Sequence, residues 1–501
     1  MMLKNLNNIP EVRVGVIAVS RDCFPIELSR KRRKNVVNAC AQHDIGVVEV
    51  AKIIENESDI DIAIDEIRRK QINALVIYLG NFGPEGPLTI LAKKFTDDLK
   101  GPVMLCAAAE ETQEDLIDGR GDAYCGLLSA CYNLKLRNVN AYIPHYPVGV
   151  PEDIAGMIKD FIPISRVYLG VKNLKIITFG PRPQDFFACN APIKPLYDLG
   201  IEIMENSELD LYDLFLKAED NPQIERVKAE MEKELGDGNK FPEILDKLAR
   251  YEVALTEFYH ENLGSRQFGV FAIKCWPAFQ HYFGFTPCYV NGRLAARGIP
   301  VACEVDIYGA LSEYIGALAS KSIPTILDIN NSVPRDMYKK NSDLLSGYKP
   351  SDLFMGFHCG NTAVDCMKSA NMNYQLIMHR LLEPDQEPDI TRGTVEGQLK
   401  PGDTTIYRLQ SSAEGQLRAY VAEGEILDID PRSFGGIGVI GIEEMGRFYR
   451  YALLEKQFPH HTAALFEHKG KIIFEALKLL GIYDISTNQP QDKMYEKENP
   501  F

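Results

Sequence analysis

Three residues of metal-ligand type close three consecutive apolar runs in the second half of the chain. PVACE ends on Glu304, PTILD on Asp328 and DLFMGFH on His358. The intervals 304 to 328 and 328 to 358 are each about the length of one strand–helix repeat of a parallel sheet. Ligand crevices of open parallel sheets lie beyond the carboxyl ends of the strands, so neighbouring strand ends would bring two carboxylates and an imidazole together. Oxygen and nitrogen donors without sulfur suit a hard or borderline divalent ion, with Mn²⁺, Mg²⁺, Fe²⁺ and Co²⁺ ahead of Zn²⁺. Alternation along a strand turns Cys303 and Cys359 to the opposite face from Glu304 and His358, which excludes both thiols as ligands.

Each residue also has a structural explanation. Asp328 could cap a helix with Asn330, and His358 could be a hydrogen-bonded core histidine. Glu304 and Asp306 precede GALSEYIGAL and could sit at its helix N-terminus, which is the better reading for Asp306. Farther on, FPHHTAALF carries two of the nine histidines, His460 and His461, before a stretch that reads as helical. One of them could complete a four-ligand site with open positions for water or substrate. Alternatively, the pair is a polar helix start capped by Thr462 or His460.

The elements that must position these groups follow from hydrophobic patterning. RVGVIAVS, GVVEV and NALVIYLG alternate with amphipathic stretches, and their continuous apolar character implies strands buried on both faces of a parallel sheet. The pattern restarts at NLKIITFG and continues through IEIM, FGVFAIKC, PVACE, PTILDI and DLFMGF. After Cys359, period-two alternation broken by PGD and EGQ signals antiparallel hairpins, and KGKIIFEALKLLGI closes the region as a helix. The expected fold is α/β: a Rossmann-like domain over 1–172, a second over 173–355 carrying the carboxylates, and a β-rich, barrel-like domain over 356–501. A chain of 501 residues is of a length for about three domains.

A net charge of −15 argues against nucleic acid as the main partner. The one basic cluster, SRKRRK from Ser29, reads as a solvated helix face, although with Arg13 and Arg21 it would suit an anionic substrate. No apolar run approaches the ~20 residues that span a bilayer, and the first twenty residues lack a secretory pattern. Eleven cysteines without a C-x-x-C pair fit free thiols in a reducing compartment. The expectation is a cytoplasmic protein.

ACEVDIYGAL, TILDINN, FMGFHCGN and PHHTAALF resemble, in order, the active-site segments of the L-fucose isomerase and L-arabinose isomerase superfamily, over roughly Phe268 to Leu480. The resemblance implies two Rossmann-like units and a β-rich domain in a homo-oligomer (trimer, tetramer or hexamer), and aldose–ketose isomerisation of a monosaccharide with Mn²⁺ or a similar ion. Carried onto this chain, Glu304 and Asp328 match the carboxylates that bind metal and act as acid and base. His461 matches the C-terminal histidine ligand, His358 the extra histidine of the arabinose isomerases, and His460 would face the sugar hydroxyls with Asp306 nearby. Similar enzymes bring the region of Asn81 and Phe82 to a neighbour's site; packing of a surface loop is the other reading. Trp276, the single tryptophan, could stack on a sugar face or fill the core. The length resembles the arabinose isomerases, whereas CEVDIYGAL and KCWP are closer to the fucose isomerases.

Such a reaction passes through an ene-diolate, and two carboxylates beside an ion can exchange base and acid roles. L-fucose, D-arabinose, L-arabinose and an anionic sugar such as sulfoquinovose are the candidate substrates. The rival readings are a non-catalytic sugar-binding protein and an epimerase or lyase using the same intermediate.

Overall fold

A computed structural model describes residues 1–275, 279–374 and 392–500. The chain divides into two compact units. The first comprises Pro10–Gly170 with Glu475–Gly481. Its sheet consists of β1 (Val14–Val19), β2 (Val47–Glu49), β3 (Ala74–Leu79), β4 (Val103–Ala108) and β5 (Val148–Gly149). The strands are all parallel and ordered β2-β1-β3-β4-β5. VGVIAV, ALVIYL and VMLCAA are buried at every position, as a sheet covered by helices on both faces requires.

The second unit comprises Met1–Ile9, Val171–Phe474 and Ile482–Phe501. It opens with a four-stranded parallel sheet of β6 (Leu174–Phe179), β7 (Glu202–Asn206), β8 (Phe268–Ile273) and β9 (Val301–Ala302), ordered β7-β6-β8-β9. The helix Ile307–Ser320 follows. Next come β10 (Thr325–Ser332), β11 (Leu353–His358), β12 (Asn371–Tyr374), β13 (Arg392–Gln398), β14 (Gly402–Ser411), β15 (Leu417–Leu427), β16 (Gly436–Gly441), β17 (His461–Leu465) and β18 (Ile485–Thr487). They form one mixed sheet ordered β12-β13-β16-β11-β10-β17-β14-β15-β18. An additional β15–β16 pairing joins two of its strands, so β16-β11-β10-β17-β14-β15 close on themselves as a six-stranded barrel. The α/β class with parallel sheets and a barrel-like C-terminal region is therefore the observed one.

Two sequence expectations are corrected. The strands ending in Asp328 and His358 are not further members of the parallel sheet; β10 and β11 pair antiparallel with each other inside the barrel. Only Glu304 follows a strand of the parallel sheet. Likewise, the stretch after the paired histidines is a strand, with β17 buried at all five positions, and the helix begins at Gly470. Among the described residues no helix is long and apolar enough to cross a membrane.

Candidate metal and catalytic site

Barrel register brings the C-terminal histidine to Asp328. β10 pairs with β17 so that Asp328 lies opposite His461, while on its other side Asp328 lies opposite Phe357, next to His358. Glu304 reaches the same place from a tight turn after β9. Glu304 and Val305 both adopt left-handed backbone, φ 59° and 53°. That conformation costs roughly 1–2 kcal/mol for each non-glycine residue and is typically retained where it aims a functional group.

The distances are those of one cluster. His461 Nε2 lies 3.5 Å from Asp328 Oδ1 and 3.8 Å from Glu304 Oε2. His460 Nε2 lies 3.6 Å from Glu304 Oε2 and 3.8 Å from Asp328 Oδ1. The His358 ring is 5.5 Å from that of His461. Glu304, His460 and His461 form one potential ligand group, and Asp328, His358 and His461 another; within each, the donor atoms lie within 4.8 Å of one another. A cavity of about 500 Å³, a size suited to a small polar ligand, is lined by Glu304, Asp328, His358 and His460, with His461 buried beside it.

His461 is held from behind. Its Nδ1 donates to Asp306 Oδ2 (2.8 Å), and Asp306 in turn accepts two bonds from the Arg408 guanidinium at 2.8 Å each. Arg408 also reaches His461 O and the Gln410 side chain, and neither Arg408 nor Asp306 is exposed. Asp306 caps its helix as well, accepting from Gly309 N at 2.9 Å. It therefore lies behind the imidazole, away from the cavity, rather than among substrate contacts. Burial pushes the Asp306 carboxyl up, but Arg408 and His461 outweigh it and hold it well below the usual carboxylate range. A carboxylate accepting from Nδ1 fixes the proton there and leaves the Nε2 lone pair free. That Nε2 is buried and without a hydrogen-bond partner among the described residues.

His358 is prepared differently. Its Nδ1 accepts the backbone N–H of Cys359 at 3.0 Å, which in a neutral ring places the proton on Nε2 and makes that atom a donor. Glu304 experiences burial, which raises its pKa, against His460, His461 and His358, which lower it; the net shift is downward. His460 shifts upward because Glu304 and Asp328 outweigh its burial.

Several participants carried no signal in the sequence. Arg408 and Gln410 lie in a strand whose polar residues look solvent-facing, yet both are buried. Phe186 and Phe187 line the cavity, the Phe186 ring 6.3 Å from that of His460. Cys189 Sγ lies 3.6 Å from Glu304 Oε2 and 3.9 Å from His461 Nδ1. Excluding the thiols holds for Cys303, which turns to Cys275. Cys359 borders the cavity, because β11 ends at His358 and alternation stops there, but it belongs to neither the Glu304 nor the Asp328 ligand group. Trp276 lies outside the described residues.

In the first unit, Asn81 is buried between its own turn after β3 and the segment that follows β1. It donates to Ser20 Oγ and accepts from Arg21 N and Gly83 N, while Phe82 stacks on Phe24 beneath the Arg21 guanidinium. The basic cluster is not wholly solvated: Arg33 is buried against Glu49, and Arg32 pairs with Glu110.

Glu313, on the helix Ile307–Ser320, is buried with one carboxylate oxygen unpartnered among the described residues, and burial pushes it up to about 8. A raised carboxyl pKa means the unfolded chain releases this proton first, so stability falls as pH rises from the ordinary glutamate value through about 8. Glu313→Gln is expected to match the wild type in thermal unfolding near pH 5 and to exceed it above pH 8. The margin is at most about 5 kcal/mol, the full worth of that shift.

Residues 15–172 match the model of the fucose/sulfoquinovose isomerase N-terminal domain, and residues 356–486 that of the L-fucose isomerase C-terminal domain. A protein named sulfoquinovose isomerase from Alkalicoccus urumqiensis is 28% identical over 320 residues, covering 62% of this chain and 64% of that protein. Another of that name, from Clostridium sp. (strain MSTE9), is 25% identical over 337 residues, covering 66% and 68%. A third, from Priestia aryabhattai, is 22% identical over 475 residues, covering 93% and 97%. Two domain models matched in order, and relatives of one name along most of its length, establish that the chain belongs to the fucose isomerase superfamily.

Proposed function

We propose that the protein is a metal-dependent aldose–ketose isomerase that interconverts a monosaccharide and its ketose by proton transfer between adjacent carbons. The observation that carries this reading is His461 Nε2, buried, unpartnered and facing two carboxylates across 3.5 and 3.8 Å. Two carboxylate oxygens and one imidazole nitrogen fit a borderline divalent cation such as Mn²⁺, with Mg²⁺, Co²⁺ or Fe²⁺ as alternatives. Glu304, Asp328 and His461 would hold it, His358 serving as a fourth ligand only after giving up its Cys359 bond. Bound there, such an ion supplies Lewis-acid polarisation of the sugar carbonyl.

The side chains supply the rest. Glu304, held ionised by the imidazoles around it, is fit to take a proton from carbon, and Asp328 completes the pair that passes it to the neighbouring carbon. His460, whose protonated form its two carboxylate neighbours favour, can donate to a sugar oxygen. Phe186 and Phe187 offer apolar surface to the sugar's C–H face.

The relatives' names favour 6-sulfonated glucose as the substrate. No lysine or arginine is among the described residues lining the cavity, so neutral and sulfonated aldoses belong in one test. Purified, Mn²⁺-loaded protein is incubated with L-fucose, D-arabinose, L-arabinose and 6-sulfonated glucose, and products are followed by NMR. One aldose is expected to give its ketose. Turnover should disappear after chelation and return with Mn²⁺ or Co²⁺. An epimer or a cleavage product would indicate the rival enzyme classes, and no product from any sugar would refute the isomerase reading.

A further inference from the structure

Directly behind Glu304 two thiols meet. Cys303 Sγ lies 2.8 Å from Cys275 Sγ, much closer than two unbonded sulfur atoms normally pack and not far from the ~2.05 Å of a disulfide. The backbone explains the approach. β8 and β9 are parallel neighbours with Phe271 beside Val301 and Ala272 beside Ala302. Cys275 stands two residues beyond the end of β8 and Cys303 one beyond β9, so both side chains leave the same edge of the sheet. Cys303 is buried, whereas Cys275 is partly exposed. One sulfur can meet a small oxidant from solvent while the other waits beside it.

We propose that Cys275 and Cys303 are a peroxide-sensitive pair whose oxidation to a disulfide disables the Glu304 site. The oxidant is a hydroperoxide, simplest as hydrogen peroxide. The Cys275 sulfur attacks one peroxide oxygen, the O–O bond breaks, and a sulfenic acid and one water result. The Cys303 sulfur then attacks that sulfenic sulfur, forming the S–S bond and expelling the hydroxyl as a second water with the Cys303 proton. Two thiols lose two electrons in all, and the peroxide gains them.

The consequence for the site follows from covalent continuity. Cys303 is bonded to Glu304, and the turn is already committed to left-handed backbone at Glu304 and Val305, with Asp306 N bonded to Cys303 O at 3.0 Å. Drawing the Cys303 sulfur toward Cys275 therefore shifts the residue that aims the Glu304 carboxylate. The loss of activity rests on the function proposed above; the cross-link and its effect on metal binding do not need a sugar to be turned over.

The Mn²⁺-loaded protein is treated with hydrogen peroxide and read three ways: peptide mass under non-reducing conditions, Mn²⁺ affinity, and isomerisation. A peptide joining Cys275 to Cys303 is expected, with Mn²⁺ binding at least about tenfold weaker and turnover lost, all three reversed by dithiothreitol. Cys275→Ser should bind Mn²⁺ as the untreated wild type does and keep that affinity in peroxide. The proposal is overturned if no such peptide forms, if the link forms with Mn²⁺ affinity unchanged, or if Cys275→Ser loses Mn²⁺ as fast as the wild type. Should no aldose be turned over, the peptide and the affinity still decide the matter.

Discussion

Glu304→Gln is expected to lower kcat by roughly a thousandfold or more while leaving thermal unfolding of the protein little changed, the upper part of what a positioned acid–base group contributes. Glutamine keeps the shape of the side chain in its turn and removes the ability to accept a proton. The wild-type carboxyl is poised for that role because the neighbouring imidazoles overcome its burial and hold its pKa below the ordinary value. Activity should therefore persist into mildly acidic pH and fall only as pH drops through that lowered value. Turnover is best followed by NMR in D₂O, where exchange of the carbon-bound hydrogen reports proton abstraction even when little ketose accumulates. Exchange retained within about tenfold of the wild type would assign the base to another residue.

Asp306→Ala should be the most destabilising single change near the site. It leaves the Arg408 guanidinium, completely buried, without its carboxylate, a situation that typically costs about 3–5 kcal/mol. It also removes the cap on Gly309 N, worth about 1 kcal/mol more. The stability this carboxylate contributes is present above the ordinary aspartate range and is lost only as pH falls well below it, because its folded pKa is strongly lowered. The same change releases His461 Nδ1, so Mn²⁺ affinity should fall about 10–100-fold. Thermal unfolding and equilibrium Mn²⁺ binding together test this. A pairing of Asp306→Leu with Arg408→Met separates the two effects: it should recover much of the stability and none of the affinity. Wild-type affinity in either variant would show that Asp306 does not orient His461.

The parts of the site legible in the sequence were those carried by residue type at an element's end. Glu304, Asp328, His358 and the paired histidines all meet in the structure. How they meet was not legible. A continuous apolar run such as TIL or LFMGF signals burial on both faces, and a barrel strand covered from outside satisfies that as well as a parallel strand does. The segment TAAL reads as helical by local preference, yet pairing on both sides with β10 and β14 overrides it. Arg408 was invisible because its partner Asp306 lies 102 positions away in sequence, and a strand of alternating polar residues ordinarily faces water. Phe186 and Cys189 sit in a short irregular turn with no periodicity to mark them.

The most direct test of the central claim is anomalous diffraction at the manganese edge from crystals grown with Mn²⁺. The account predicts one strong peak within bonding distance of the Glu304 and Asp328 carboxylates and of His461 Nε2. A fully occupied ion elsewhere, or no ion at saturating Mn²⁺ with these three side chains turned apart, would contradict it.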